Sequence, residues 1–241
     1  MTHKASQVKK ELQRYADPKR ALFVAWYFKT GKGEYGEGDV FLGLTVPKTR
    51  EIAKTFADLP LSEAEDLLHS KVHEQRQAAL MILTRKFAKA GVEERKAIYE
   101  LYLRNTKFIN NWDLIDGSAR EIVGEYLREK KGERKILYRF ARSKSIWERR
   151  IAIIASWAFV RSDGDTKDLL AIATILLSDT HDLLHKAVGW MLREIGKYDE
   201  KQLYSFLDEY AAMMPRTMLR YSIERLNPAV RKKYLSARAK K

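Results

Sequence analysis

The chain has 241 residues, of which 45% are hydrophobic and 32% charged, a balance typical of a folded globular or repeat protein. It contains no cysteine, which excludes disulfides, thiol nucleophiles and thiolate metal sites. Lys and Arg outnumber Asp and Glu by 46 to 32, and the formal charge of +14 indicates a polyanionic partner, most often nucleic acid and less often an anionic membrane surface. Simple solubility is the alternative explanation.

Residues 1–30 are predicted to form helices, and their start lacks the apolar region of a signal peptide. The longest apolar run, residues 151–160, is too short to span a bilayer. We therefore expect a soluble, intracellular protein without a membrane partner. With DNA as the ligand, it would be cytoplasmic and associated with the nucleoid.

Residues 31–46 are predicted to form a glycine-rich connector. Gly31-Lys32-Gly33-Glu34-Tyr35-Gly36 matches the dinucleotide pattern G-x-G-x-x-G, but it follows a helical stretch instead of a strand and does not open a helix. Glu34 and Glu37 would also repel a pyrophosphate. We therefore interpret the segment as a flexible connector, with Pro47 expected at the N1 position of the next helix.

Residues 47–226 show helical spacing of apolar residues and an internal repeat. Aligned segments place an anchor residue at intervals of 40, 34, 36 and 34 residues, each followed by small residues that let helices approach closely. That period predicts stacked helix pairs of the HEAT type. We expect an all-α, right-handed superhelical solenoid forming one domain over residues 1–241, with a basic C-terminal end at 227–241. The anchors are Arg76, Asp116, Arg150, Lys186 and Arg220.

Four of these anchors are basic and one, Asp116, is acidic. If the anchors line the concave surface that solenoids use for binding, that surface is a cationic groove with a single carboxylate. Trp112 precedes Asp116 by one helical turn, so both side chains would project to the same side. Asn110 or Asn111 is the better helix cap and Asp113 already complements the helix dipole, which leaves Asp116 equally open to a functional or a structural role.

Other aromatic residues have more than one interpretation. Trp190 with Arg193 repeats the pairing of indole and cation, which suits a nucleotide because Arg binds phosphate while the indole faces sugar or base. Trp147 with Arg150 does the same, yet Trp147 could equally pack at a helix start. Trp157 is predicted to be a core residue.

A metal site is not expected. His181-Asp182-Leu183-Leu184-His185 resembles the zinc motif H-E-x-x-H, but Asp replaces Glu and no third ligand follows. The basic residues 231–233 and 238–241 are expected to form a solvated end that adds, at most, non-specific affinity for DNA.

The chain resembles the AlkD-type DNA alkylation-repair glycosylases, a family of HEAT-like repeats, over nearly its whole length. The segments that carry the resemblance are Ala25-Trp26-Tyr27-Phe28-Lys29, Phe41-Leu42-Gly43-Leu44-Thr45-Val46-Pro47 followed by Arg50, Trp112-Asp113-Leu114-Ile115-Asp116, Ile146-Trp147-Glu148-Arg149-Arg150, and Lys186-Ala187-Val188-Gly189-Trp190-Met191-Leu192-Arg193-Glu194. Two departures are Asn111, where the family often has a second Trp, and a longer glycine-rich insertion at residues 31–38.

The resemblance implies a catalytic role for Asp116 and DNA or substrate binding by a further set of residues. It also implies hydrolysis of the N-glycosidic bond of positively charged alkylated purines in double-stranded DNA, by a monomer without cofactor or metal. Two alternatives are a non-catalytic HEAT-like DNA-binding protein and a protein-interaction scaffold. The implied binding residues are Trp112, Trp190, Arg150, Arg193, Tyr27 and Lys186.

Overall fold

The computed structural model describes residues 3–237. Within this range the chain is helical and contains no strand, apart from an isolated backbone bridge between Val40 and Val72. The expected all-α class is therefore confirmed. The chain forms two compact units, Met1–Tyr126 and Leu127–Lys241, which are described separately below. The single continuous domain and the right-handed superhelix stay predictions.

The first unit contains seven helices within its described residues, and an eighth begins at its end. The bounds are α1 Ala5–Arg14, α2 Pro18–Tyr27, α3 Val46–Thr55, α4 Leu61–Leu68, α5 His73–Lys89, α6 Val92–Arg104, α7 Trp112–Asp116 and α8 Glu125–Glu129.

The long helix α5 is the centre of the first unit, where it packs against α1, α3, α4 and α6. It buries residues around its whole circumference in the N-terminal half, which a surface helix with one apolar stripe does not do. Helix α3 begins where the Thr45 side chain accepts a hydrogen bond from the Lys48 amide, and Pro47 lies in its first turn. Helix α2 differs from these because it buries none of its side chains.

The second unit begins within α8 and continues through a further seven helices of the described chain. Helix α10 contains the longest apolar run, and nearly all of it is buried against α9, α11 and α12. Trp157 is only half-buried and meets the Tyr198 ring edge-on at 5.4 Å. The bounds are α9 Lys135–Phe140, α10 Ile146–Asp163, α11 Lys167–Ile175, α12 Asp182–Tyr198, α13 Glu200–Tyr210, α14 Arg216–Ser222 and α15 Pro228–Leu235.

The repeat that the sequence predicts has a structural counterpart in the helix starts. The anchor is the fourth residue of α5 and the fifth residue of α7, α10, α12 and α14. Close packing after an anchor is clearest at Gly189, where an added Cβ would lie 2.5 Å from the Met218 carbonyl oxygen on α14. Glycine at this position therefore lets α12 and α14 approach, as the small residues of the repeat predict. Of the basic C-terminal residues, 231–233 lie in α15, whereas 238–241 lie outside the described residues.

Candidate active site

Trp112 and Asp116 are the first and last residues of α7, a helix of only five residues. Asn111 begins the helix, since its side-chain oxygen accepts a hydrogen bond from the Trp112 amide at 2.8 Å, and this Asn is fully buried. Leu114 and Ile115 are buried on the inner side of the helix. Trp112 and Asp116 are therefore one turn apart on a helix with a fixed start, and both are partly exposed.

The main chain leaves α-helical geometry directly after Asp116. Gly117 ends α7, and residues Arg120–Gly124 form a short π-helical segment, a feature that is frequent near functional sites. The Ser118 hydroxyl lies 3.1 Å from the Tyr102 hydroxyl in the buried layer below. Burial raises the pKa of Tyr102, and the nearby charge of Asp116 adds to this rise, so the phenol is neutral at ordinary pH.

A cleft of about 590 Å³ opens beside Asp116, between α3, α5 and α7. We refer to it as the Asp116 cleft. Trp112 and Asp116 both line it, together with the face of α5 that carries Gln77, Met81 and Thr84. Its other lining residues are Val46, Arg50, Ala53, Lys54, Leu80, Arg85, Ala88, Asp113, Leu114 and Gly117.

Three cations line the Asp116 cleft, and all three are exposed. Arg50 and Lys54 are one turn apart on α3, next to the buried residues Thr49 and Ala53 that attach the helix to the unit. Arg85 extends from α5. None of the three forms an ion pair or a side-chain hydrogen bond within the described part of the chain. The cleft therefore combines a carboxylate with three cations that are available to an anionic ligand.

Trp112 also lines a second cleft, of about 390 Å³, which we call the aromatic cleft. The indole stacks on Phe28, with ring centroids 5.3 Å apart and planes inclined by 18°. The edge of Tyr27 approaches the indole at 6.3 Å, and the Tyr27 ring is 53% exposed. Phe23 and Phe41 contribute further aromatic lining. These contacts hold the Trp112 indole in one orientation between the two clefts.

Asp113 takes part in a buried network of charged side chains. Its Oδ2 atom accepts hydrogen bonds from His73 Nε2 at 2.8 Å and from Gln77 Nε2 at 3.0 Å. The other nitrogen of His73 faces Asp39 at 3.4 Å, and Arg76 donates to both oxygens of Asp39 at 2.8 Å. Since both His73 nitrogens face carboxylates, the ring is suited to carry two protons and a positive charge.

The protonation of this network follows from its pairing. Burial disfavours the charged form of His73, but the charge of Asp113 and the hydrogen bonds to Asp113 and Asp39 outweigh it and raise the pKa of His73 to about 9. Burial likewise opposes ionisation of Asp39, yet the hydrogen bond from His73 and the charge of Arg76 lower the pKa of Asp39 below its ordinary value. His73 and Asp39 are thus both charged at neutral pH, next to α7.

Carboxylates stabilise the connector before α3 by accepting hydrogen bonds from its backbone amides. Glu34 accepts a hydrogen bond from the Gly31 amide at 2.9 Å, and Glu37 accepts one from the Gly33 amide at 2.8 Å. Buried Glu74 of α5 accepts from the amides of residues 42, 43 and 44. This explains the acidic residues of the glycine-rich segment, which is followed by a further loop and not directly by the start of a helix that could bind a pyrophosphate.

In the second unit, three of the residues expected to bind DNA share one face of α12. Lys186, Trp190 and Arg193 follow each other at intervals of four and three residues. The Lys186 ammonium pairs with Asp182 at 2.7 Å, and the Arg193 guanidinium pairs with Glu224. In the first unit, the structure thus places Trp112 next to Tyr27 in the aromatic cleft and next to Asp116 in the Asp116 cleft. In the second unit, it places Lys186, Trp190 and Arg193 on a basic and aromatic helix face.

The anchor residues do not all face solvent. Arg150 is 4% exposed and donates a hydrogen bond to the Leu183 carbonyl at 2.6 Å, while Arg76 is 2% exposed and pairs with Asp39. The expectation that the anchors form one cationic surface is therefore wrong for Arg76 and Arg150, because both side chains are buried. Lys186 is partly exposed and Arg220 is exposed.

The histidines of the zinc-like motif bond to the backbone. His181 Nδ1 accepts a hydrogen bond from the Leu183 amide, and His185 Nε2 lies 2.6 Å from the Asp179 carbonyl. Among residues 3–237, no group of three or more His, Asp or Glu side chains is arranged to hold a metal ion. In the same range, no helix has the length and apolar character needed to cross a membrane. Trp147 is half-buried at the start of α10.

Comparison with known proteins identifies the family to which the chain belongs. The family model described as DNA alkylation repair enzyme matches residues 8–226, which is most of the chain. The chain belongs to the DNA alkylation repair enzyme family. The resemblance to the AlkD-type proteins is thereby confirmed, and family membership supports a role in the repair of alkylated DNA.

Two solved structures have a similar fold. A predicted DNA alkylation repair enzyme from Enterococcus faecalis superposes with a TM-score of 0.70 at 18% identity, covering 88% of this chain and 97% of that chain. The structure of smu.31 from Streptococcus mutans gives a TM-score of 0.53 at 15% identity, covering 90% of this chain and 95% of that chain. At these identities the likeness shows the fold alone. No curated protein matches the chain significantly in sequence.

The sequence alone does not identify the three cations that line the Asp116 cleft. Arg50 belongs to a segment of the resemblance but has no role assigned from it, and Lys54 and Arg85 are not singled out. The signal for Arg50 and Lys54 is their spacing of four residues, which places both on one helix face. In a chain with 46 Lys and Arg residues this spacing recurs too often to identify a site.

Proposed function

We propose that the protein is a DNA N-glycosylase that hydrolyses the N-glycosidic bond of positively charged alkylated purines, of the N3-methyladenine and N7-methylguanine type. The observation that carries the proposal is the Asp116 cleft, in which the Asp116 carboxylate and one oriented indole lie beside three cations without an acidic partner in the described chain. Membership of the DNA alkylation repair enzyme family supports DNA as the partner. The cations suit its phosphates, and the carboxylate suits a reaction that develops positive charge.

The proposed reaction needs little from the protein besides electrostatic stabilisation. The bond between the purine nitrogen and C1′ of the sugar breaks, and its electron pair leaves with the base, which becomes neutral. A water molecule then bonds to C1′ and releases one proton. Asp116 stabilises the oxocarbenium-like sugar and orients the water. Because the leaving base is already positively charged, no general acid is required.

Trp112 would contribute selectivity. An indole face attracts a cationic base or sugar by about 0.5–2 kcal/mol, an attraction that a neutral base lacks. The stacking of Trp112 on Phe28 supports this role because the indole is oriented before the ligand binds. Tyr27, at the edge of the indole, would contact the damaged nucleotide from the aromatic cleft.

The second unit would bind the duplex through the face of α12. Trp190 and Arg193 would meet the sugar and phosphate, and Lys186 would add a charge at the start of this face. Arg150 donates to the first turn of α12, so its proposed contribution to DNA binding is made through the position of that helix. We propose that the protein acts in this way as a monomer on double-stranded DNA.

The experiment is a base-release assay on methylated duplex DNA, with N3-methyladenine and N7-methylguanine separated and quantified by chromatography. The wild-type protein is expected to release them, and Asp116→Asn should lower the rate at least ~100-fold, as for loss of an electrostatic group in an active site. Asp66→Asn is the matched control, since Asp66 is an exposed carboxylate of α4 that pairs with Lys9. It should keep wild-type activity.

Two outcomes would contradict the proposal. Undiminished release by Asp116→Asn would remove the catalytic role of Asp116. Absence of release by the wild-type protein, with DNA binding intact, would favour a non-catalytic DNA-binding protein.

A further inference from the structure

We infer that Arg50, Lys54 and Arg85 form a binding site for the phosphodiester backbone of DNA, on the wall of the Asp116 cleft. The inference rests on the proposed function only where it identifies the ligand as duplex DNA. It assigns a site in the first unit, where the sequence had assigned an aromatic pair and a carboxylate but no phosphate-binding residue.

The first step of the argument is the contrast between these cations and their neighbours. On α3, the Lys48 ammonium pairs with Glu51 at 2.7 Å, whereas Arg50 and Lys54 have no acidic partner. On α5, Lys86 lies 3.8 Å from Glu94, whereas the adjacent Arg85 has no partner. Every cation of α3 and α5 that lines the Asp116 cleft thus lacks an ion pair within residues 3–237. Lys89, at the end of α5, also lacks one but does not line the cleft.

The second step is the local balance of charge. Asp113 and Asp116 are the two carboxylates that line the cleft, and Asp113 is held by His73. This leaves three cations against Asp116, an arrangement that repels cationic ligands and attracts anions with more than one charge. A polyphosphodiester supplies such charges in series, and the guanidinium groups of Arg50 and Arg85 can each hold two phosphate oxygens.

The third step is the position of these cations relative to the reacting groups. Arg50 and Lys54 lie on α3, Arg85 lies on α5, and Trp112 and Asp116 lie on α7, with the cleft between the three helices. A strand whose phosphates bind to α3 and α5 therefore has its sugars directed into the cleft that contains the carboxylate. The site would position the strand, and base contacts would be made elsewhere.

The test compares two triple variants on unmodified duplex DNA. The site variant is Arg50→Gln/Lys54→Gln/Arg85→Gln, and the control is Lys9→Gln/Lys48→Gln/Lys86→Gln, whose cations have acidic partners in the first unit. Both variants lose three positive charges, so a non-specific effect of net charge is the same for both. The dissociation constant is measured over a series of salt concentrations, after circular dichroism has shown that both variants are folded.

Each lost phosphate contact flattens the dependence of log K on log[salt] by about 0.9. We expect the site variant to lower this slope by about 2–3 and the control by less than about 1. Equal slopes for the two variants would overturn the inference.

The result is independent of base release. A changed slope with no glycosylase activity in the wild-type protein would preserve the phosphate site and reject the proposed reaction. An unchanged slope with full activity would reject the site and preserve the reaction.

Discussion

Asp113 and Asp116 belong to the same short helix, three residues apart, but they lie in two contrasting regions of the first unit. Asp113 belongs to the buried network, where His73 and Gln77 donate to it and Asp39 and Arg76 complete the pairing. Asp116 lies in an open cleft whose cations have no acidic partner. Trp112 borders both the aromatic cleft above the network and the Asp116 cleft.

This difference shows how a short helix can present a reactive carboxylate with a fixed position. Five residues cannot form a stable helix on their own. The buried network anchors α7 through Asp113, and Phe28 supports Trp112 from the other side. The paired charges of the network thus hold the helix, while Asp116 lines the open cleft. We therefore expect Asp113 to determine the stability of the unit and Asp116 its activity, and the following variants test this expectation.

The largest effect on stability is expected at Arg76. Replacing it with Ala leaves Asp39 as a buried carboxylate without its cationic partner, which should lower the free energy of unfolding by about 3–5 kcal/mol. Arg85→Ala, an exposed position on the same helix, should change it by less than about 0.5 kcal/mol. Urea denaturation measures both. A loss below 1 kcal/mol for Arg76→Ala, by the same measure, would show that the network does not stabilise the unit.

A smaller effect is expected at Asp113, and it provides the direct comparison between the two carboxylates. Asp113→Asn removes the charge that faces His73, and we expect a loss of about 3 kcal/mol, because a buried cation loses its partner. Asp116→Asn should cost clearly less stability, because Asp116 lies in an open cleft and is partly exposed, but it should lower base release at least ~100-fold. Thermal denaturation and the base-release assay on both variants give four values. Equal stability losses in the two variants would remove the distinction between the two regions.

The pH dependence of stability tests the charge on His73. Its folded-state pKa of about 9 lies above the ordinary value of 6.5, so its contribution is complete below pH 6.5 and is lost as the pH rises through 9. We expect the free energy of unfolding to fall by about 2 kcal/mol between pH 6.5 and 9. His73→Gln should be less stable at neutral pH but should lack this slope. A wild-type slope retained in His73→Gln would assign the pH dependence to other groups.

Local spacing is sufficient to predict the helices and the carboxylate, because both depend on residues a few positions apart. The anchors predicted from the repeat all stand at the fourth or fifth residue of a helix, and the pairing of Trp112 with Asp116 is a relation of one turn. The same periodicity does not reveal the interruption after Asp116, since the apolar residues of the π-helical segment continue a helical pattern.

The partners of the charged residues could not be predicted in the same way. Asp39 meets Arg76 and His73 meets Asp113 across 37 and 40 residues, and such pairs depend on how helices pack. For the same reason, the sequence does not distinguish Lys48, which is paired, from Arg50, which is not. In the first unit, this distinction between paired and unpaired cations is the basis on which we assign Arg50, Lys54 and Arg85 to the proposed phosphate site.

The smallest predicted effect is on DNA binding and concerns Asp116 itself. If a phosphodiester binds to Arg50, Lys54 and Arg85, the negative charge of the Asp116 carboxylate in the same cleft repels it. Asp116→Asn should then tighten binding of unmodified duplex DNA by up to about fivefold, equivalent to roughly 1 kcal/mol or less, and the gain should disappear at high salt, where the repulsion is screened.

Asp66→Asn removes one negative charge from an exposed position of α4 and should give no comparable gain. Fluorescence anisotropy at low and high salt measures both variants. Weaker binding by Asp116→Asn would mean that the carboxylate supports the bound backbone. This result would contradict a cleft in which the cations bind phosphate and the carboxylate stabilises the developing positive charge of the sugar.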